Sequence, residues 1–130
     1  MTDETLSHYV RIWADDDGVS HLEDVVLDER EAGGQPGVPS LTVGDAGPVG
    51  RLQIVGIDPD FEPGWHTAPR AQFVVFLTGW AHIVAGDGAT REIPAGGMVL
   101  AEDLHGGGHV TTHEPGPQRV LVIPRGAEGY

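Results

Sequence analysis

Two clusters of polar residues contain the side chains that are best suited to chemistry. The first spans residues 64–72 (GWHTAPRAQ) and contains His66 and Gln72. The second spans residues 103–113 (DLHGGGHVTTH) and contains His109. Each cluster places a histidine at a strand end near a glycine-rich bend, where metal ligands and acid–base groups often lie. We therefore predict that His66, Gln72 and His109 form one catalytic site.

Proton transfer is one chemistry that these three side chains could perform. An imidazole titrates near neutral pH, so His66 and His109 can each accept or donate a proton there. The amide of Gln72 can orient a substrate oxygen or stabilise an enolate through a hydrogen bond. The sequence therefore predicts an acid–base pair with a polar anchor beside it.

Four further residues are predicted to bind the substrate. Arg70 belongs to the first cluster and could hold a carboxylate or a phenolate through two hydrogen bonds. His113 would share a strand face with His109, because side chains in a strand alternate with a period of two. Phe76 and the small Ala81 would share the inner face of a hairpin and leave space for a ligand.

Composition and charge narrow the classes of function. The chain has 130 residues, with 7 arginines, no lysine and 20 acidic residues, which gives a net charge of −13. Such a surface repels nucleic acid and anionic membranes. The chain contains no cysteine, which excludes disulfides and thiol nucleophiles, and the lack of lysine excludes Schiff-base chemistry. The sequence thus predicts a protein that acts on a small molecule.

Secretion and membrane insertion are not indicated by any segment. Residues 1–5 include two acids, and no apolar signal-peptide region follows them. The longest mostly apolar stretch, residues 73–85, is too short to cross a bilayer. We therefore expect a cytoplasmic protein with no membrane partner.

The pattern of apolar residues predicts an all-β fold with few or no helices. Twenty glycines and ten prolines interrupt the chain, and no window holds a sustained helical period. Short β-rich runs recur at residues 8–13, 21–27, 51–57, 72–78, 80–84, 98–101, 109–112 and 119–123. Many short strands separated by turn signals favour a small antiparallel barrel or jelly roll.

The chain length predicts one domain over residues 1–130. Within it, residues 28–50 form a Gly/Pro-rich loop of the kind that is functional or disordered, and it could act as a lid. This loop separates the strands of residues 1–27 from a barrel core at 51–130. The first strands could therefore be exchanged within a homodimer. Thr78-Gly79 is interpreted as the turn of a central hairpin.

The spacing of both clusters resembles the two cupin motifs. The first cupin motif is a His-x-His pair, an acidic ligand a few residues later, then six further residues and a glycine. This chain has His66, Ala68, Gln72 and Gly79 at those positions. The second motif is matched by Gly97, Asp103, His109 and His113, with histidine where cupins have asparagine. The resemblance covers about residues 60–123 and is closest to small single-domain bacterial cupins.

The resemblance to cupins implies a possible metal centre. Cupins commonly bind iron, manganese, nickel or zinc through three histidines and a glutamate. Here the resemblance leaves His66, Gln72 and His109 as ligands, all of them neutral, which would weaken the binding of a divalent ion. A carboxylate would have to come from Glu102 or Asp103. The sequence leaves open whether the cofactor is one divalent metal or none.

Three functions are consistent with this reading. The first is an enzyme that uses acid–base chemistry for isomerisation, cyclisation, dehydration or decarboxylation of a small organic acid or polyketide-like molecule. The second is an iron- or manganese-dependent dioxygenase with the same residues around the metal. The third is a non-catalytic protein that stores or senses a ligand. The sequence favours the first, because two histidines at motif spacing are unnecessary for simple hydrophobic capture.

Overall fold

The computed structural model describes residues 7–126, and in that range it contains eleven strands and no helix. The all-β prediction is therefore confirmed. The strands are β1 (His8–Ala14), β2 (Ser20–Val26), β3 (Glu29–Gly33), β4 (Ser40–Gly44), β5 (Gln53–Ile57), β6 (Gln72–Phe76), β7 (Ala81–Val84), β8 (Thr90–Ile93), β9 (Met98–Ala101), β10 (Val110–His113) and β11 (Gln118–Pro124). The expectation for residues 1–5 lies outside the described residues.

The strands form three sheets. The largest has six strands in the order β2-β1-β9-β6-β11-β5, the second has the order β10-β7-β8, and the third is the β3-β4 pair. All neighbours are antiparallel except β1 and β9, which run parallel with Val10 opposite Val99. The large sheet is therefore mixed, whereas the sequence had predicted antiparallel pairing.

The main core lies between the six-stranded and three-stranded sheets. Strand residues alternate between inward and outward positions, so in β11 Gln118, Val120 and Val122 are buried whereas Arg119 is exposed. The core consists of Val10, Ile12, Ala68, Phe76, Ala81, Ile83, Ile93, Val99, Ala101, Val120 and Val122. Because it draws on both sheets, it holds them together and surrounds the space between them.

The outer face of the six-stranded sheet is also covered in part. Tyr9, Phe73 and Leu100 are buried there, and the rings of Tyr9 and Phe73 meet edge to face at 5.4 Å. Leu27 and Ala46, which flank the β3-β4 pair, pack against this group. The β3-β4 segment therefore belongs to the side of the sheet opposite the main core.

The central hairpin prediction is wrong. β6 pairs with β9 and β11, whereas β7 pairs with β8 and β10, so the two strands belong to different sheets. The segment that connects β6 to β7 is held to β11. The Thr78 hydroxyl donates to Gln118 Oε1 at 2.7 Å and accepts from Arg119 N at 2.9 Å. The predicted inner face survives, with Phe76 and Ala81 buried, because alternation is a property of each strand alone.

The prediction of a structureless loop at residues 28–50 is also wrong. The segment contains β3 and β4, which pair from Glu29–Gly44 to Gly33–Ser40. The side chains of both strands are mostly exposed. Their sequences lack the apolar alternation that predicts a half-buried strand, so the pattern of apolar residues did not indicate them. Among the described residues, none between 28 and 50 lines the cavity between the sheets, which gives no support to a lid. The exchange of the first strands within a homodimer stays a prediction. In the structure β1 pairs with β9 of the same chain.

An ionic cluster around His21 joins the two main sheets. His21 Nε2 lies 2.6 Å from Asp15 Oδ2, and Nδ1 lies 2.8 Å from Asp87 Oδ2 in the β7–β8 turn. Its ring stacks on Trp13 with centroids 4.7 Å apart. The hydrogen bond that His21 makes to Asp15, followed by the one to Asp87, raises the pKa of His21. The protonated ring therefore donates to both carboxylates.

Stability should therefore fall as the pH rises through the raised pKa of His21. The contribution is complete below the ordinary histidine pKa, and it disappears when the folded protein loses this proton. The His21→Gln variant should lose this part of the pH dependence, measured as the free energy of unfolding in urea at about pH 5 and about pH 9. His82→Gln is the control, since His82 has one distant partner, Glu92 at 3.5 Å. An unchanged pH dependence in His21→Gln would contradict the assignment.

Candidate functional site

A cavity of about 390 Å³ lies between the two main sheets. This volume is at the lower end of the range for small-molecule sites. Most of the wall is apolar and comes from both sheets, including Ile12, Val55, Val74, Phe76, Ile83, Val99, Val120 and Val122. The polar lining consists of Asp58, His66, Gln72, His109, Thr111 and His113. Five of the seven residues predicted from the sequence as catalytic or substrate-binding thus line one cavity.

His66 and His109 are brought together by a backbone bridge. His66 N donates to His109 O at 3.0 Å, and His109 N donates to His66 O at 2.9 Å. Their ring centroids are 4.7 Å apart, with the planes tilted by 53°. Because the bridge fixes both main chains, it holds the two histidines side by side at the cavity wall.

The glycine run before His109 makes this bridge possible. Gly108 has φ +77°, and a Cβ atom at this position would overlap the carbonyl group of His66. Gly106, with φ +87°, passes equally close to the main chain of Gly18. Only glycine combines a positive φ with such close backbone approach at low cost. The run therefore serves to seat His109 against His66.

A buried carboxylate holds the His109 ring. Asp103 follows β9, is 0% exposed, and places Oδ2 2.6 Å from Nδ1 of His109, which is 5% exposed. Its carbonyl oxygen also accepts from Ala68 N at 3.0 Å. A carboxylate accepts from Nδ1–H, so the other ring nitrogen of His109, Nε2, is left for the cavity. Asp103 Oδ1 has no hydrogen-bond partner within residues 7–126.

His66 is the solvent-facing member of the pair. Its side chain is exposed although it lines the cavity, and its Nδ1 lies 3.0 Å from the carbonyl oxygen of Gly64. A carbonyl oxygen only accepts, so Nδ1 carries the proton and Nε2 of the neutral ring has the lone pair. His66 can therefore act as a base and exchange its proton with bulk water.

Gln72 and His113 lie toward different ends of the cavity. Gln72 begins β6, and its Oε1 is buried without a hydrogen-bond partner in the described part of the chain. His113 ends β10 with its ring centroid 6.1 Å from that of Phe76. Burial lowers the pKa of His113, so its ring is neutral at neutral pH. The cavity thus has polar groups that are separated along its length.

Arg70 and Ala81 are placed differently from the prediction. Neither is among the described residues that line the cavity. Ala81 is 0% exposed and belongs to the packed core, since the hairpin that would have put it beside a ligand is not formed. Arg70 stands before β6, where it does not reach the cavity wall as an anion clamp. The expected binding of a carboxylate therefore has no cationic partner here.

The structure also separates the roles of neighbouring polar residues. Glu102 pairs with Arg11 and Arg125 and does not line the cavity. His105 is exposed, and its Nε2 lies 3.1 Å from the carbonyl oxygen of Asp15.

The contact of Asp103 with His109 was not predicted from the sequence, although both residues lie in one motif-like segment. The signal for this contact in the sequence was that Asp103 and His109 are six residues apart, with a glycine bend between them.

The donor set does not suit a divalent metal. The histidines His66 and His109 and the amide of Gln72 are uncharged donors. Asp103 is bound to His109 Nδ1 and does not line the cavity, and Asp58 is the one carboxylate among the described residues that line it. Across residues 7–126, no group of three or more His, Asp or Glu side chains is placed to hold a metal ion. Three uncharged donors would leave most of the charge of a divalent cation uncompensated in a largely apolar site.

Comparison with known proteins adds no assignment. No model of a known protein family matches the chain, and no curated protein matches it. No helix in the part of the chain that the structure describes is long and apolar enough to cross a bilayer. Function is therefore inferred from the cavity and its side chains.

Proposed function

We propose that this protein is a small-molecule enzyme of cupin-like type that transfers a proton by acid–base catalysis in its cavity. The observation that carries the proposal is the array in which Asp103 holds His109 and His109 lies against His66. The two histidines come from the two motif-like segments, which supports the cupin resemblance. A buried carboxylate behind one imidazole is the arrangement that orients a histidine for proton transfer.

The proposed step is removal of a proton from a carbon next to a carbonyl group. The C–H bond breaks, the proton moves to His66 Nε2, and the electron pair forms an enolate. When His109 carries a proton on both ring nitrogens, its Nε2–H donates to the enolate oxygen, while Asp103 compensates the charge on that ring. Gln72 lines the same cavity and can donate a second hydrogen bond from its amide. Return of the proton to the same or another carbon completes the reaction.

This step is common to isomerisation, cyclisation and dehydration of carbonyl compounds. The apolar wall supports it, because excluding water strengthens the hydrogen bonds to the enolate oxygen. A dioxygenase is less well supported, since the neutral donor set is poor for iron or manganese. The acid–base enzyme is therefore the preferred of the three functions.

Hydrogen exchange of a simple ketone tests the proposal without the natural substrate. The protein is mixed with 2-acetylnaphthalene in D₂O, and loss of the methyl proton signal is followed by NMR. We expect exchange above the buffer rate, and a fall of about 100-fold or more in His66→Gln and in His109→Gln. Treatment with EDTA should leave the rate unchanged, because the proposed step uses only side chains.

The control for this experiment is His82→Gln, which changes a histidine outside the cavity and should retain the wild-type rate. Exchange that persists in both His66→Gln and His109→Gln would contradict the acid–base assignment. A ketone that binds without any accelerated exchange would instead indicate a ligand-binding protein.

Assembly and location stay predictions. A homodimer is supported by exposed apolar side chains at the edge of the six-stranded sheet, where Leu52 and Ile54 lie on or beside the end strand β5. Such patches often mark contacts between proteins. The cytoplasmic location stays a prediction from the sequence.

A further inference from the structure

The charge around the cavity disfavours an ionised ligand. Among the described residues that line it, the one carboxylate is Asp58, and none is an arginine. The chain has no lysine, and its net charge is −13. A bound carboxylate would lose its water without gaining a cationic side chain among the described residues that line the cavity, and such desolvation opposes binding in an apolar site. The proton that His109 can take up is already matched by Asp103.

The polar groups are spread along the cavity rather than gathered at one point. Gln72 pairs with Ala101, two residues before Asp103, so it lies toward the end where Asp103 holds His109. Phe76 lies four residues further along β6, and its ring centroid is 6.1 Å from that of His113, which also lines the cavity. β6 and the segment from His109 to His113 thus run the same way on opposite walls.

The length between the two polar ends follows from strand geometry. Four residues of strand span about 13 Å, so His109 and His113 are separated by roughly that distance along the wall. Thr111 lies between them on the same face. The opposite wall is apolar over this length and includes Val74, Val99 and Val120. A ligand that fills the space must be apolar in its middle and polar at its two ends.

We propose that the cavity binds an uncharged, mostly apolar molecule with a carbonyl group at the His66–His109 end and a hydroxyl group at the His113 end. This inference rests on the proposed function for the placement of the carbonyl. His113 is then the residue that determines specificity for the far end of the ligand. It can do so because a neutral imidazole has one nitrogen that accepts a hydrogen bond from a hydroxyl group. Lowering of the His113 pKa by burial agrees with this role.

Three naphthalene probes of similar outline test the proposal by isothermal titration calorimetry at neutral pH. They are 2-acetylnaphthalene, its 6-hydroxy derivative and 6-hydroxy-2-naphthoate. We expect the hydroxyketone to bind about five-fold more tightly than the ketone, as one added hydrogen bond allows. The naphthoate should bind at least about ten-fold more weakly than the hydroxyketone, because its carboxylate has no cationic partner.

Variants at position 113 separate recognition from folding. His113→Leu should abolish the preference for the hydroxyketone over the ketone, so the ratio of the two affinities should fall to about one. His113→Gln keeps a hydrogen-bond acceptor and should restore part of the preference. Retained folding is checked for both variants by circular dichroism before the titrations.

Several results would overturn this ligand class. They are tighter binding of the naphthoate, equal binding of ketone and hydroxyketone, a hydroxyl preference that survives in His113→Leu, or no binding of any probe. The expected selectivity without accelerated proton exchange would support the ligand class and contradict the proposed function. Exchange that depends on His66 and His109 without selectivity among the probes would support the proposed function and contradict the ligand class.

Discussion

Replacement of Gly108 by alanine is expected to lower the free energy of unfolding by about 3 kcal/mol and to abolish proton exchange. Gly108 has φ +77°, and the added methyl group would overlap the carbonyl group of His66. Either the main chain of His66 moves away or the turn before His109 changes conformation. Both movements break the backbone bridge that sets the two rings 4.7 Å apart.

Gly107→Ala is the matched control for this prediction. A Cβ atom at Gly107 would meet its nearest neighbour, Gly18 O, at 4.0 Å, and its φ is not positive. This variant should therefore keep both stability and exchange close to wild type. Urea unfolding and the NMR exchange assay measure the two effects. If the two alanine variants are destabilised equally, the bridge is not what requires glycine at position 108.

Asp103→Asn is expected to reduce the exchange rate by about 100-fold with little change in substrate affinity. Asparagine has nearly the same volume, and its amide oxygen can still accept from His109 Nδ1–H. It carries no charge, so it does not compensate the imidazolium that forms when His109 is protonated. The loss should therefore appear in kcat and leave KM nearly unchanged.

Two measurements separate this positioning role of Asp103 from a purely structural one. The Nδ1 proton of His109 should resonate far downfield in the wild type, because its hydrogen bond is only 2.6 Å long and buried, and the signal should shift upfield in Asp103→Asn. Glu102→Gln is the control, since Glu102 pairs with Arg11 and Arg125 outside the cavity. Equal losses of exchange in both variants would contradict a specific role for Asp103.

The strands and their faces could be predicted from the sequence, whereas their partners could not. Alternation shows which side chains of β6 and β7 point inward, because it depends only on the conformation of each strand. Pairing depends on contacts far along the chain, such as the hydrogen bond from Thr78 to Gln118. A two-residue turn at Thr78-Gly79 was therefore a reasonable local prediction that a distant contact overrides.

The candidate site shows the same division. Spacing placed His66 and His109 together, and the structure brings their rings to 4.7 Å. The role of Asp103 could not be predicted from the sequence, because it depends on how the bend at residues 106–108 folds back on the chain. Arg70 was predicted to bind an anion because it is charged and lies close in sequence to His66 and Gln72. The side chain of a residue that lies two positions before a strand can nevertheless point away from the cavity. Sequence distance alone does not give direction.

The parallel pairing of β1 with β9 has a consequence for biosynthesis. Val10 lies opposite Val99, so the second neighbour of β1 emerges from the ribosome only after most of the chain has been made. Until then β1 has an open edge, and unpaired edges of this kind are prone to join other chains. We expect newly made protein to acquire its native sheet late, and high-level expression to favour aggregates at this stage.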